Sequence, residues 1–116
     1  MADNKLADLS TEFAVQILRL TDSIKGHYSL ANQLERSGTS IGANIREAQY
    51  AHGKPDFISK LQIALKEANE TGYWLELLYK TNYIDEQTYK SLDTACASIR
   101  VILIASINTA KENNEN

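Results

Sequence analysis

The sequence predicts an all-α fold, an antiparallel up-down four-helix bundle with short loops, and three observations carry that prediction. Pro and Gly are scarce, one and five in 116 residues, while Ala, Leu, Ile, Glu and Lys abound; such a composition favours helix over turn-rich β structure. Apolar residues recur at steps of three and four over four separate stretches, which is the period of one helix face. The breaks between these stretches are short, and short connections make antiparallel neighbours. One domain, residues 1–116, is the natural division, since a chain of this length buries one core of its own but hardly two.

The first helix is expected over Ser10 to Lys25. Leu6, Leu9, Phe13, Ile17, Leu20 and Ile24 share its face, Asp8 or Ser10 is placed to cap it, and Gly26 with His27 to stop it. Residues 1–8 are polar and expected to fray. The second helix starts near Ser29 as N-cap and runs to about His52, with Leu30, Leu34, Ile41, Ile45 and Ala48 on its apolar side. Gly38 and Gly42 lie inside it, where each costs about 1 kcal/mol relative to Ala. Close approach of a neighbouring helix is the expected compensation, with a kink as the alternative.

Gly53 is placed as N-cap of the third helix. Pro55 falls in the first turn, where its missing N–H is harmless, and Asp56 lies where a carboxylate receives free N–H groups. That helix carries Phe57, Leu61, Ala64, Leu65, Ala68, Leu75 and Leu78 to about Lys80. A rod of this kind is roughly 38 Å long at 1.5 Å per residue, so the bundle is elongated. Asp85 caps the fourth helix, with Ile84 and Tyr89 placed as a hydrophobic staple. Leu92, Cys96, Ile99, Leu103 and Ile107 form its apolar face, yet IRVILIASI (Ile99 to Ile107) is apolar on nearly every side. A helix greasy all round needs a second covering surface, and a partner subunit is the expected one. The tail 111–116 is polar and expected to fray.

Charge and cysteine usage narrow the setting. The net charge of −3 weighs against a protein held to nucleic acid by its overall charge, which is normally basic. Cys96 is the single cysteine, so no intramolecular disulfide forms, and a reducing cytosol fits. No apolar run reaches the roughly 18 residues of a spanning helix, and MADNKLADL lacks the blocks of a signal peptide. A cytoplasmic protein with no membrane partner is expected.

Chemistry-bearing residues gather on the middle helices. Ser37, Ser40, Asn44, Glu47 and Ala51 form a stripe beside the apolar face of the second, and Glu67, Glu70, Thr71 and Trp74 lie at comparable height on the third. A polar core network of Ser40, Asn44, Glu47, Glu67, Glu70 and Tyr73 is the expected reading, since buried carboxylates are costly unless hydrogen-bonded. Arg46 or Lys66 would reach its edge. A solvated face and a ligand site are the alternatives. A di-iron centre needs Glu-x-x-His spacing, whereas Glu47 is followed at that step by Tyr50 and Glu67 by Glu70. Phosphate-loop, zinc-protease, CxxC and nucleophile-elbow motifs do not occur either. No catalytic residue, metal or cofactor is expected, and the protein is read as no enzyme. Tyr73, Trp74, Tyr79, Tyr83 and Tyr89 are interleaved with Lys54, Lys60, Lys66 and Lys80, which are the candidate nucleic-acid contacts. Aromatics at helical spacing serve more often as core or interface anchors.

These residues also carry a resemblance. Arg36–Ser37, TSIGANIREAQ (Thr39 to Gln49) and DFISKLQIALKEANETGYWLELL (Asp56 to Leu78) resemble the four-helix-bundle proteins encoded in intervening sequences of bacterial 23S rRNA genes. The core of the match is Ser40, Asn44, Glu47 and Ala48, then Asp56–Phe57, then Glu67, Ala68, Glu70, Thr71, Tyr73 and Trp74. The resemblance implies an up-down bundle assembled as a homopentamer with a central channel. It implies similarity to the accessory variability protein of diversity-generating retroelements, a pentamer that binds nucleic acid and a reverse transcriptase through a basic surface. The function implied is a non-enzymatic scaffold or accessory factor for RNA or a ribonucleoprotein; the alternative is a protein–protein adaptor that binds no nucleic acid. This sequence departs from the basic relatives, with Gly53 for the usual Ser and Pro55 at a commonly basic position.

Overall fold

A computed structural model describes residues 2–114, which form four helices: α1 (Ala2–Ser23), α2 (Tyr28–Gln49), α3 (Lys54–Lys80) and α4 (Glu86–Asn114). They stand at the corners of a square in chain order. Each packs on its two neighbours, without close backbone approach across either diagonal. The molecule measures 51 × 21 × 20 Å, the elongated shape expected of rods of this length. Phe13, Ile17, Leu34, Ile41, Leu75, Leu78, Ile99 and Leu103 fill the axis, each almost wholly buried. A side chain of this kind contributes about 1.5–3 kcal/mol when taken fully out of water.

The ends of the helices depart from expectation in instructive ways. α1 begins at Ala2, eight residues before the expected start. Leu6 is buried and Leu9 packs beside the core, so the apolar face continues to the first turns and holds the polar segment in helix. Ser10 is not a cap. It is buried within the helix, and its hydroxyl donates back to the Ala7 carbonyl at 3.0 Å. At the other end α4 extends through 111–114, where fraying was expected. Ala110 lies against the core just before that stretch and keeps the last turn docked. Met1, Glu115 and Asn116, also expected to fray, lie outside the described residues.

The corners explain the rest. The N-cap of α2 is His27 rather than Ser29, and its carbonyl accepts from the Ala31 N–H at 3.0 Å. His27 meets the Tyr83 ring edge-on at 5.5 Å, which ties the first loop to the third. α2 stops at Gln49, short of His52. Gly53 caps α3 as expected, at φ +95°, a conformation that side chains disfavour. Asp56 does not serve the free N–H groups of its own helix; its carboxylate accepts from His52 N–H at 3.3 Å, across the turn. Asp85 performs as expected. Its carboxylate accepts from Thr88 N–H at 2.7 Å, and that bond holds its pKa below the ordinary value.

Close helix approach, not a kink, accounts for the two α2 glycines. A methyl group at Gly38 would lie 3.0 Å from Ile17 Cγ2, and one at Gly42 would lie 3.3 Å from Ser10 Oγ. Gly38→Val is therefore expected to destabilise the bundle by about 1–3 kcal/mol through overpacking. Gly72 differs, because an added methyl would meet only the flexible tip of Arg100 at 3.1 Å. Gly72→Ala is expected to stabilise by about 0.5–1 kcal/mol. Urea melts of the two variants check both signs.

Candidate functional site

The antiparallel α2–α3 hairpin determines what its polar residues meet. Ser37 and Thr71, each 17 residues from Lys54, face one another across the seam, with their hydroxyl oxygens 2.9 Å apart. Thr71 Oγ1 also lies 2.8 Å from the Glu67 carbonyl, and Ser37 Oγ 3.4 Å from the Leu34 carbonyl. Both residues are wholly buried. From the next position of α2, Arg36 reaches over the seam to two carboxylates of α3, at 3.2 Å from Glu67 and 3.0 Å from Glu70. The Glu67 carboxylate raises the Arg36 pKa most, by its charge and by its hydrogen bond, and Glu70 adds to it.

The expected polar core network is thus replaced by a smaller one. Ser40 donates to its own helix, to the Arg36 carbonyl at 2.6 Å, and Asn44 donates to the Ser40 carbonyl at 2.9 Å. Neither crosses the seam. Glu47 is exposed. At about 100° per residue it falls roughly 120° around the helix from Ile41, whose side chain defines the core direction. Tyr73 is also outside, 54% exposed, tilted against Trp74 with ring centres 5.2 Å apart. Of the six residues expected in the network, Glu67 and Glu70 alone take part in a link across the seam. What joins them is Arg36, not Arg46 or Lys66. Equal steps outward from the turn place Arg36 opposite Gly72, two residues from Glu70 and five from Glu67, and its long side chain leans back along the seam to reach them. The indole N–H of Trp74 is buried without an acceptor.

The lysines proposed for nucleic acid do not make a patch. Lys54, Lys60 and Lys66 are six residues apart, and each step of six turns the helix by about 240°. They therefore point in three directions. Lys80 is paired with Glu76 at 3.0 Å. Cys96 is buried, and its thiol donates to the Ala68 carbonyl at 3.3 Å. Burial pushes its pKa up to about 11, so it stays a protonated core group. Among the described residues no group of three or more His, Cys, Asp or Glu is placed to hold a metal ion.

The surface that stands out is apolar. Ile99, Leu103 and Ile107 point inward, leaving Val101 67% and Ile104 47% exposed on the outer side of α4. Beside them runs a groove of about 1010 Å³ between α4 and the α2–α3 turn, lined by Ala48, Ala51, Phe57, Val101, Ile102 and Ala105 among others. A second, smaller apolar strip, Val15 and Leu18, lies on α1. The helix Glu86–Asn113 contains an 18-residue window with a mean hydropathy of 1.3, apolar enough by length and composition to cross a membrane. Its Leu92, Cys96, Ile99, Leu103 and Ile107 nonetheless form one wall of the bundle core.

Helix order, the hairpin register and the Arg36 clamp provide the frame for comparison with known proteins. The family model of the 23S rRNA-intervening sequence protein matches residues 2–105. The chain belongs to that family. Among solved structures it is similar to a Bacteroides thetaiotaomicron protein of the S23 ribosomal protein family, described as of unknown function. The two are 50% identical over 93% of this chain and 99% of that one, with a TM-score of 0.88. No curated protein matches. The family resemblance read from Arg36 to Leu78 is thereby shown for nearly the whole chain.

The buried hydroxyl pair is the most specific polar feature this family member carries. Thr71→Val is expected to cost about 1–2 kcal/mol, because it leaves Ser37 buried beside a methyl group. Ser37→Ala combined with Thr71→Val is expected to recover most of that loss, since both partners are then apolar. Thermal melts of the two single variants and the double variant measure the coupling.

Proposed function

We propose that this protein is a non-enzymatic scaffold that works as a homo-oligomer, associating through the outer face of α4 and the groove beside it. The observation that carries the reading is the exposed Val101 and Ile104 on a helix whose opposite side is already committed to the core. An apolar strip of this kind gains when a second surface excludes water from it. A second copy is the proposed occupant, because Val15 and Leu18 on α1 supply another apolar strip on a different helix. Pairing of unlike patches is heterologous, and it makes a ring where the rotation between copies closes. Five copies are the number expected from the family resemblance.

The cargo proposed is a protein or a ribonucleoprotein surface rather than bare RNA. Lys54, Lys60 and Lys66 diverge around α3, Lys80 is paired, and the net charge is −3. Phosphate binding draws on convergent cations, and these do not converge. A cytoplasmic setting belongs to the same proposal, supported by the one buried, protonated thiol.

Light scattering coupled to size exclusion is expected to return a multiple of 13.0 kDa for the native chain. Val101→Glu with Ile104→Glu is expected to shift it to one copy while the helical circular dichroism is kept. A native chain eluting at 13.0 kDa across the micromolar range overturns the assembly. Filter binding to structured RNA is expected to show no retention even at about 50 mM salt, where phosphate contacts are strongest. Tight, salt-sensitive retention would return the reading to an RNA scaffold.

A further inference from the structure

Three of the four seams of the bundle are fastened, and the fourth is not. Between α1 and α2, Ile17 and Ser10 sit under Gly38 and Gly42, and Thr21 donates to Glu35 at 3.2 Å. Between α2 and α3 stand the Arg36 clamp and the Ser37–Thr71 pair. Between α3 and α4, Cys96 donates to the Ala68 carbonyl, and Tyr79 stacks on Tyr89 at 4.7 Å with the rings nearly parallel. Each of these seams is also tied by a loop. α1 and α4 share no loop, and among the described residues no hydrogen bond, ion pair or ring contact joins them. Theirs is the slimmest of the four helix contacts.

The residue types at that seam explain its weakness. A cleft of about 370 Å³ separates the two helices near the end of the bundle that holds the first and third loops. Exposed Gln16 and Arg19 line it from α1, and exposed Gln87 and Ser91 from α4. Only Leu20 and Leu92 line it as apolar partners, and Leu20 is only partly buried. Polar side chains that keep their water contribute little to holding two helices together. Cooperative units of low stability are those with few buried apolar contacts at their boundary.

We propose that the bundle opens along the α1–α4 seam, as an event separate from global unfolding, with Leu92 the first buried core side chain to meet water as its partly exposed partner Leu20 moves away. The opening is a conformational device of the fold: it uncovers an apolar strip at the end opposite the α4 groove without breaking the other three seams. It does not depend on the self-assembly proposed above.

The protein supplies its own control for the test. Cys96 is the single cysteine, buried on the fastened α3 side of α4. In the full-length native chain a thiol reagent is expected to label Cys96 only as fast as global unfolding allows. In Cys96→Ala with Leu92→Cys, labelling is expected at least ~10-fold faster than that variant's own global unfolding, as for a low-energy local opening. In Cys96→Ala with Ser37→Cys, which probes the α2–α3 seam, it is expected to track global unfolding. Adding Gln16→Leu with Ser91→Leu to the Leu92→Cys protein is expected to slow its labelling by a similar factor. Methyl relaxation dispersion on the unaltered chain guards against a Leu92 variant that folds poorly. Exchange is expected at Leu20 and Leu92 and absent at Leu34 and Leu75. Labelling that follows global unfolding at all three positions, or dispersion that is flat or equal at the four leucines, overturns the proposal.

Discussion

The distance from the turn at Gly53–Pro55 is the constraint on which the polar architecture rests. Two helices joined by so short a turn have no freedom to slide, so residues equally far from it must face each other. Ser37 and Thr71 are such a pair, and a hydroxyl in a sealed seam has no water to fall back on. A slip of one helical turn along α2 would put a hydroxyl against Leu75 or Ala68 and an aliphatic chain, Leu34 or Ile41, against Thr71. Arg36 then closes the seam from outside and reads the same register a second time, through Glu67 and Glu70. A half-exposed ion pair is a weak source of stability. Two carboxylates one turn apart that share one guanidinium still discriminate strongly between registers.

A second constraint acts on the neighbouring seam by shape instead of polarity. Gly38 and Gly42 remove side chains from the face of α2 that meets α1, and Ile17 and Ser10 occupy the space. α2 therefore has two working sides, a notched one toward α1 and a hydroxyl-bearing one toward α3. This division explains why α2 carries so little large apolar surface for a helix at the heart of a bundle. Its place in the square is specified by fit on one side and hydrogen bonding on the other, and bulk hydrophobicity is left to Leu34, Ile41 and Ile45 between them.

How much of this was legible follows from the range of each interaction. The four helices, the inward faces and the Asp85 cap are local or periodic, and periodicity survives without knowledge of the partner. The family was legible from Arg36 to Leu78 because that stretch carries the residues on which the resemblance rests. The start of α1 was misplaced because polar Asp3, Asn4 and Lys5 look like a frayed end, while the burial of Leu6 is a tertiary event. Ser10 looked like a cap for the same reason: a serine just before an apolar run reads as an N-terminus, and only the glycine opposite reveals it as a space-filler. The polar stripe of α2 was read as one surface. Its steps of three and four average less than 3.6, so it drifts from the seam at Ser37 to open solvent at Glu47.

α4 shows where the demands of folding end and those of the proposed assembly begin. Its inner face supplies Leu92, Cys96, Ile99, Leu103 and Ile107 to the core. For that purpose the outer residues could be Lys or Glu at no loss, and salt-bridge pairs on α3 and at the start of α4 show that the chain places them readily, as Lys80–Glu76 and Lys90–Glu86. Val101 and Ile104 stand instead where such pairs would fit. Two branched apolar side chains facing water give a single copy nothing and raise its tendency to associate. Their position beside a groove walled by small residues, Ala48, Ala51 and Ala105, gives that tendency a shape. The core is complete without this surface, and that is the physical ground on which the proposed assembly is placed there.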